Sequence, residues 1–229
     1  MALLLEFNIE KIAIIDDKKD ARYSMAEIVS DANFSYEIVD EKIESFVHLF
    51  SKIEKSTQAA ILDHHLNIAN YANFTGAYAV SELFKRKFPA LLVTAYSQSD
   101  IDQIRLFRKN IPVIISSNEF DCSDVEPGLI KCINELKDIY NKDRKGYKSL
   151  FRIENIDEKR KYAFIIIPAW DSKETIRLPF EFFNNRPVKI GDRFYARINI
   201  GTEKQEEIYI DNIEFLEKPK GDYAGLIRN

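Results

Sequence analysis

The stretch Ala59-Ala60-Ile61-Leu62-Asp63-His64-His65-Leu66 decides how the rest of the chain is read. Four small or apolar residues run straight into one acid, and polar residues follow at once. A short apolar run that ends this way predicts a buried parallel strand whose carboxyl end delivers Asp63 to the sheet edge, outside which open α/β sheets hold ligands and chemistry. An isolated acid there would equally serve to cap the next loop. The flanking segments have to separate the two readings.

On the amino-terminal side, Ile12-Ala13-Ile14-Ile15 is another apolar run that ends in acids, Asp16-Asp17. A helix is expected over 20–31, with Ala21, Met25, Ile28 and Val29 at helical spacing. Tyr36–Val39 reads as a strand, and Ile43, Phe46, Val47, Phe50 and Ile53 mark an amphipathic helix. On the carboxyl side, a loop without periodicity over 67–75 closes at Gly76, and a helix over 77–87 turns Val80, Leu83 and Phe84 inward and stops before Pro89. Ala90–Thr94 is a strand that ends in a hydroxyl, 101–108 a helix, and Pro112–Ile115 a strand followed by Ser116-Ser117. Ile130, Ile133, Leu136 and Ile139 complete a fifth helix. Five strands alternating with five helices predict an α/β fold, a doubly wound five-stranded parallel sheet with helices on both faces.

The charged, aperiodic stretch Asn141–Ser149 is read as a boundary, which gives a first domain over 1–141, a linker over 142–148 and a smaller domain over 149–229. The last part is β-rich: Tyr162–Ile167, Thr175–Leu178, Arg193–Ile200 and Glu207–Ile210 are expected strands, with more at 149–156 and 213–216. In the third of these, Phe194, Ala196, Ile198 and Ile200 alternate with Arg193, Tyr195, Arg197 and Asn199, the pattern of a half-buried strand. A small all-β barrel or sandwich is expected.

Composition narrows the function classes. Hydrophobic residues at 45% and charged residues at 31% make an ordinary soluble composition, and the net charge of -4 offers no global attraction to nucleic acid or an anionic membrane. Cys122 and Cys132 supply neither a disulfide framework nor metal-motif spacing, which suits a reducing cytoplasm. Met1–Glu6 lacks the basic region of a signal peptide, and no apolar run reaches the length of a membrane span, so a cytoplasmic protein is expected.

In a sheet ordered 2-1-3-4-5 the first and third strands are neighbours, so Asp16, Asp17 and Asp63 crowd one edge. Such carboxylates repel one another unless a cation neutralises them, and a hard oxygen-loving ion such as Mg²⁺ suits the set. Thr94, ending the next strand, adds a hydroxyl.

Ile15-Asp16-Asp17, Leu62-Asp63 and Leu92-Val93-Thr94-Ala95 resemble the receiver domain of two-component response regulators over about residues 10–140. The resemblance implies a flavodoxin-like fold with Asp63 as phosphoacceptor. It implies Mg²⁺ held by Asp16, Asp17, Asp63 and the backbone carbonyl of His65, and Thr94 as switch hydroxyl. It also implies a bacterial phosphorelay, in which a sensor histidine kinase or another phosphodonor supplies the phosphoryl group. The family carries a lysine after its fifth strand, where this chain has Ser116, and its loop after the phosphoacceptor is shorter. A hydroxyl there supplies no charge-assisted hydrogen bond. The expected function is therefore an atypical response regulator, a non-enzymatic phosphoprotein. A pseudo-receiver scaffold that never takes phosphate is the alternative.

Asp63-His64-His65 also resembles the signature of the DHH phosphoesterases, a manganese site. That family needs further Asp and His ligands and a histidine-rich second domain, whereas the one other histidine, His48, stands among Phe46, Val47 and Phe50 on an amphipathic helix. In the second domain basic and acidic residues balance. Its exposed Arg193, Tyr195 and Arg197 suit a solvated strand face better than a single-stranded nucleic-acid surface. Trp170 and the other aromatics are expected in the core, and the domain is read as a module that engages a protein partner. A homodimer is compatible with this reading, and no membrane contact is expected.

Overall fold

The computed structural model describes residues 7–68, 70–95, 98–184 and 186–216, so the reading of Met1–Glu6 lies outside the described residues. The chain divides into two compact units, Met1–Lys145 with Gly201–Tyr209, and Gly146–Ile200 with Ile210–Asn229.

In the first unit the chain runs β1 (Lys11–Ile15), α1 (Lys19–Asp31), β2 (Ser35–Ile38), α2 (Phe46–Ile53), β3 (Ala59–Asp63), α3 (Gly76–Lys85), β4 (Ala90–Thr94), α4 (Gln98–Arg105), β5 (Ile114–Ser116) and α5 (Cys122–Leu136). The sheet order is β2-β1-β3-β4-β5, with every pair parallel. This is the doubly wound, flavodoxin-like order, as the sequence predicts. The central strands are apolar at every position because both faces are covered. Ala13, Ile15, Ala60, Leu62 and Leu92 pack with residues of α2 and α3. Ile12, Ile14, Ile61, Leu91 and Val93 pack on the other face with residues of α1 and α5.

Helix starts coincide with capping residues: Ser45 accepts from the His48 N–H, Thr75 from the Tyr78 N–H, and Asp121 forms a capping box with Asp124. Some boundaries differ from expectation. The fourth helix is 98–105, and Arg108–Asn110 is a separate 3-10 turn. β5 begins at Ile114, after Pro112, which has no N–H to give a ladder. Val47 and Ile139, both counted as apolar-face positions, are exposed.

The second unit is a single antiparallel sheet of β6 (Tyr147–Asp157), β7 (Tyr162–Ile167), β8 (Asp171–Pro179), β9 (Arg193–Ile198) and β10 (Ile210–Phe215), in the order β10-β9-β6-β7-β8. β8 and β10 are its edges, and the sheet does not close into a barrel among the described residues. Phe194, Ala196 and Ile198 of β9 are buried while Arg193, Tyr195 and Arg197 are exposed, which is the expected alternation. The rings of Phe151 and Phe194 stack with centroids 5.0 Å apart. Trp170 is only half-buried, at the end of the β7–β8 turn, so the core is built from the Phe and Ile residues instead.

Residues 207–209, expected in a strand, do not join the sheet. Gln205–Glu207 form a 3-10 turn, and Ile208 and Tyr209 are buried in the first unit. The reason is a set of arginines: Arg105 Nη1 donates to the carbonyls of Gln205 and Ile208, both at 2.9 Å, and Arg108 pairs with Glu207. Gly201 permits the entry, since a Cβ there would lie 2.5 Å from the Lys142 carbonyl oxygen. Arg144 is buried in the same region, donating to Glu135 at 2.9 and 3.0 Å and to the Arg108 and Lys109 carbonyls. Tyr209 donates its hydroxyl to the Arg144 carbonyl at 3.0 Å. Among the described residues no helix is long and apolar enough to cross a membrane.

Removing one member of a buried ion pair costs about 3–5 kcal/mol because the other charge is left without a partner. Arg144→Met is therefore expected to lower the urea-unfolding stability by roughly that amount. Glu135→Leu/Arg144→Met should recover most of it. A single variant as stable as wild type would show that the pair contributes nothing net.

Candidate functional site

Ile15 and Leu62 are register partners across β1 and β3, so Asp16 and Asp63 leave the sheet at the same level. One carboxylate oxygen each from Asp16, Asp17 and Asp63 lies within 4.8 Å of the others. Thr94 ends the adjacent β4 and is buried, in register with Ser116. The structure thus places Asp16, Asp17 and Asp63 together, with Thr94 and Ser116 ending the next two strands.

Backbone amides hold two of the acids. The Lys18 N–H donates to Asp16 Oδ1 at 2.7 Å, and the His65 N–H donates to Asp63 Oδ2 at 2.6 Å. Asp16 is 3% exposed, and its burial pushes the carboxyl up to about 6. The Lys18 N–H opposes that rise, and the charges of Asp63 and Asp17 add to it. Burial likewise raises Asp63, against the pull of the His65 N–H. Asp17 Oδ1 is buried with no hydrogen-bond partner. A crowded trio of acids with one oxygen unsatisfied fits a hard divalent cation such as Mg²⁺.

Gly76 sets the approach of α3. Its N–H donates to the His64 carbonyl at 2.9 Å, and a Cβ there would lie 1.9 Å from the Asp63 carbonyl oxygen. The long loop after β3 therefore returns to start a helix directly against Asp63, which any side chain at position 76 would prevent.

The sequence reading missed Arg22. It is buried in α1, donates to the Asp16 carbonyl, pairs with Asp40 and lies over the Tyr71 ring at 5.4 Å. Arg22 shares the buried stripe of Met25, Ala26 and Val29, and a cation at that helical phase was the available signal. The Asp-His-His triplet is divided: Asp63 joins the acids, whereas His64 and His65 group with Asp100, which was also unmarked. Burial pulls the His64 imidazole down to about 4.

No family model matches the chain, and no curated protein does. Solved structures do match. Response-regulator receiver domains are among them. One from Clostridium thermocellum is 13% identical with a TM-score of 0.43, over 58% of this chain and 100% of that one. A CheY-like receiver domain protein from Methanospirillum hungatei JF-1 is 18% identical with a TM-score of 0.42, over 57% and 98%. A response regulator from Burkholderia pseudomallei, solved with a phosphorylated aspartic acid, a calcium ion and citrate, is 13% identical with a TM-score of 0.41, over 56% and 71%. The fold itself stands on the observed strand order. The second unit remains unassigned.

Gly76→Ala should unfold the β3–α3 junction locally and lower stability by several kcal/mol, on the scale of overpacking against backbone. Urea melts test this, and a neutral result would mean that α3 can start elsewhere. The acids also give a pH dependence. Below about pH 4, Asp16 is protonated in both the folded and unfolded chain, so it contributes no difference. Between about pH 4 and 6 the unfolded chain releases a proton that the folded one keeps, and stability falls. The rise from 3.8 to about 6 corresponds to roughly 3 kcal/mol of destabilisation, fully present above that window. In chelator, Asp16→Asn should therefore be more stable than wild type at pH 7.5, and the gap should close at pH 4. An equal gap at both would refute the assignment.

Proposed function

We propose that the first unit is an atypical receiver that accepts a phosphoryl group on Asp63, and that the second unit passes the signal to a protein partner. The observation that carries this reading is the meeting of Asp16, Asp17 and Asp63, with an unsatisfied oxygen on Asp17, at the strand ends beside Thr94. Asp16, Asp17, Asp63 and the His65 carbonyl would hold Mg²⁺, whose charge would neutralise the phosphoryl oxygens. The phosphodonor would be a sensor histidine kinase or another phosphorylated donor.

In that reaction the donor's bond to phosphorus breaks, and a bond forms between phosphorus and a carboxylate oxygen of Asp63. The leaving group departs with the electron pair and takes up a proton. The His65 N–H fixes Asp63 Oδ2, which leaves Oδ1 as the attacking oxygen. The Thr94 hydroxyl would donate to a phosphoryl oxygen and move with it. No substrate is turned over in this reading, so the protein is a signalling module and not an enzyme. Its place in the cell would be the cytoplasm.

Ser116 favours the second reading, a pseudo-receiver scaffold. The position supplies a hydroxyl where a lysine would give a charge-assisted hydrogen bond, so an acyl phosphate at Asp63 forms less readily.

Millimolar Mg²⁺ should raise the melting temperature of wild type by mass action and leave Asp17→Asn unmoved. With acetyl phosphate and Mg²⁺, intact-mass spectrometry should show slow phosphorylation that Ser116→Lys increases and Asp63→Asn removes. If neither wild type nor Ser116→Lys gains mass, the pseudo-receiver reading replaces the first.

A further inference from the structure

The side chains of the two residues after Asp63 build a second cluster beside the acidic pocket. His64 is 0% exposed, and neither of its ring nitrogens has a hydrogen-bond partner. Gln103 stands near it without a hydrogen bond of good geometry. His65 packs against His64 with ring centroids 4.9 Å apart and planes at 64°. Asp100, in the first turn of α4 and 1% exposed, brings Oδ1 to 3.2 Å from His65 Nε2. One donor atom from each of the three residues lies within 4.8 Å of the other two.

A buried imidazole ordinarily donates from one nitrogen and accepts at the other, in protein or to water. Among the described residues His64 finds neither partner, and it lies fully buried just after β3. The lone pair it offers suits a ligand that takes electron pairs. Tetrahedral zinc with metal–nitrogen and metal–oxygen bonds of about 2.0–2.2 Å needs its donors about 3.3 Å apart. The His65–Asp100 pair already has that separation at 3.2 Å. Two imidazoles with one carboxylate are a zinc-class donor set, whereas Mg²⁺ prefers oxygen alone, as the Asp16, Asp17 and Asp63 trio supplies.

We propose that His64, His65 and Asp100 bind a zinc-class divalent transition ion, at a site separate from the acidic pocket, with water completing the coordination. Such an ion ties the segment after β3 to the first turn of α4. It would therefore clamp the neighbour of Asp63 to the helix that follows Thr94. The proposal stands whether or not Asp63 is phosphorylated.

Cobalt(II) is the probe, with the full chain carrying no affinity tag and stripped with chelator. In the presence of millimolar Mg²⁺, wild type should take up Co²⁺ stoichiometrically and develop the strong visible ligand-field bands of a four- or five-coordinate site, which Zn²⁺ abolishes. His65→Ala, at a half-exposed position that leaves the core intact, should weaken uptake by at least about tenfold, the scale on which even outer-shell changes act. Asp100→Asn should do the same, with circular dichroism confirming its fold. Asp17→Asn and His48→Ala should leave uptake unchanged. Octahedral-type weak bands in wild type, uptake that survives His65→Ala, or uptake lost in Asp17→Asn would each overturn the proposal.

Discussion

Burial raises the proton affinity of Asp16 and Asp63, neighbouring carboxylate charge adds to it, and the ends of β1 and β3 gather three such acids. Nothing in packing favours that arrangement. It follows from the strand order, which makes β1 and β3 neighbours with Ile15 opposite Leu62. The surrounding backbone then holds the acids in place: the Lys18 and His65 N–H groups grip Asp16 and Asp63, and Arg22 grips the Asp16 carbonyl. Gly76 lets α3 begin against the Asp63 carbonyl. A site that is fixed by main chain while its charges repel is under electrostatic tension, which a bound cation would relieve. The repulsion costs stability, and the fold bears it through the apolar layers on both faces of the sheet.

What the sequence made legible was whatever periodicity encodes. The all-apolar central strands, the five helices and the alternation in β9 are direct consequences of two-face and one-face burial, and they stand in the structure. The trio of acids followed from strand order alone. The contacts that escaped are those made by long cations over large sequence separations. Arg105, Arg108 and Arg144 reach segments that composition assigned elsewhere, so Ile208 and Tyr209 alternate like a strand yet bury their side chains in the first unit. Asp100 was unreadable for the same reason: only the return of α4 past the end of β3 brings it to His65.

On the exposed face of the second unit's sheet two of the basic residues are paired. Lys148 meets Glu214 at 2.6 Å and lies over the Tyr195 ring at 5.2 Å, and Arg152 pairs with Glu154. Exposed pairs of this kind contribute little stability, but they cancel the local field that a phosphate backbone would need. Such pairing is what the solvated strand face expected for β9 would carry. Among the described residues β8 and β10 are the edges of this sheet.

Asp63, His64 and His65 are consecutive, yet their side chains serve two clusters of different chemistry. The main chain between them is shared, and the His65 N–H bonds Asp63 while the His65 ring meets Asp100. A reorientation of Asp63 that keeps the N–H contact carries the His65 backbone with it, and with that the imidazole that meets Asp100. A lysine from β5 would pull on a phosphoryl group directly, and Ser116 has no charge with which to do so. On the proposed reading, the coupling that a lysine would carry across the strand ends falls to the Thr94 hydroxyl, and a second route runs along the chain itself, from Asp63 through His65 to Asp100. Whether the second cluster holds an ion decides how stiff that route is, because a ligated imidazole cannot follow the backbone without breaking a coordinate bond, whereas a hydrogen-bonded one can.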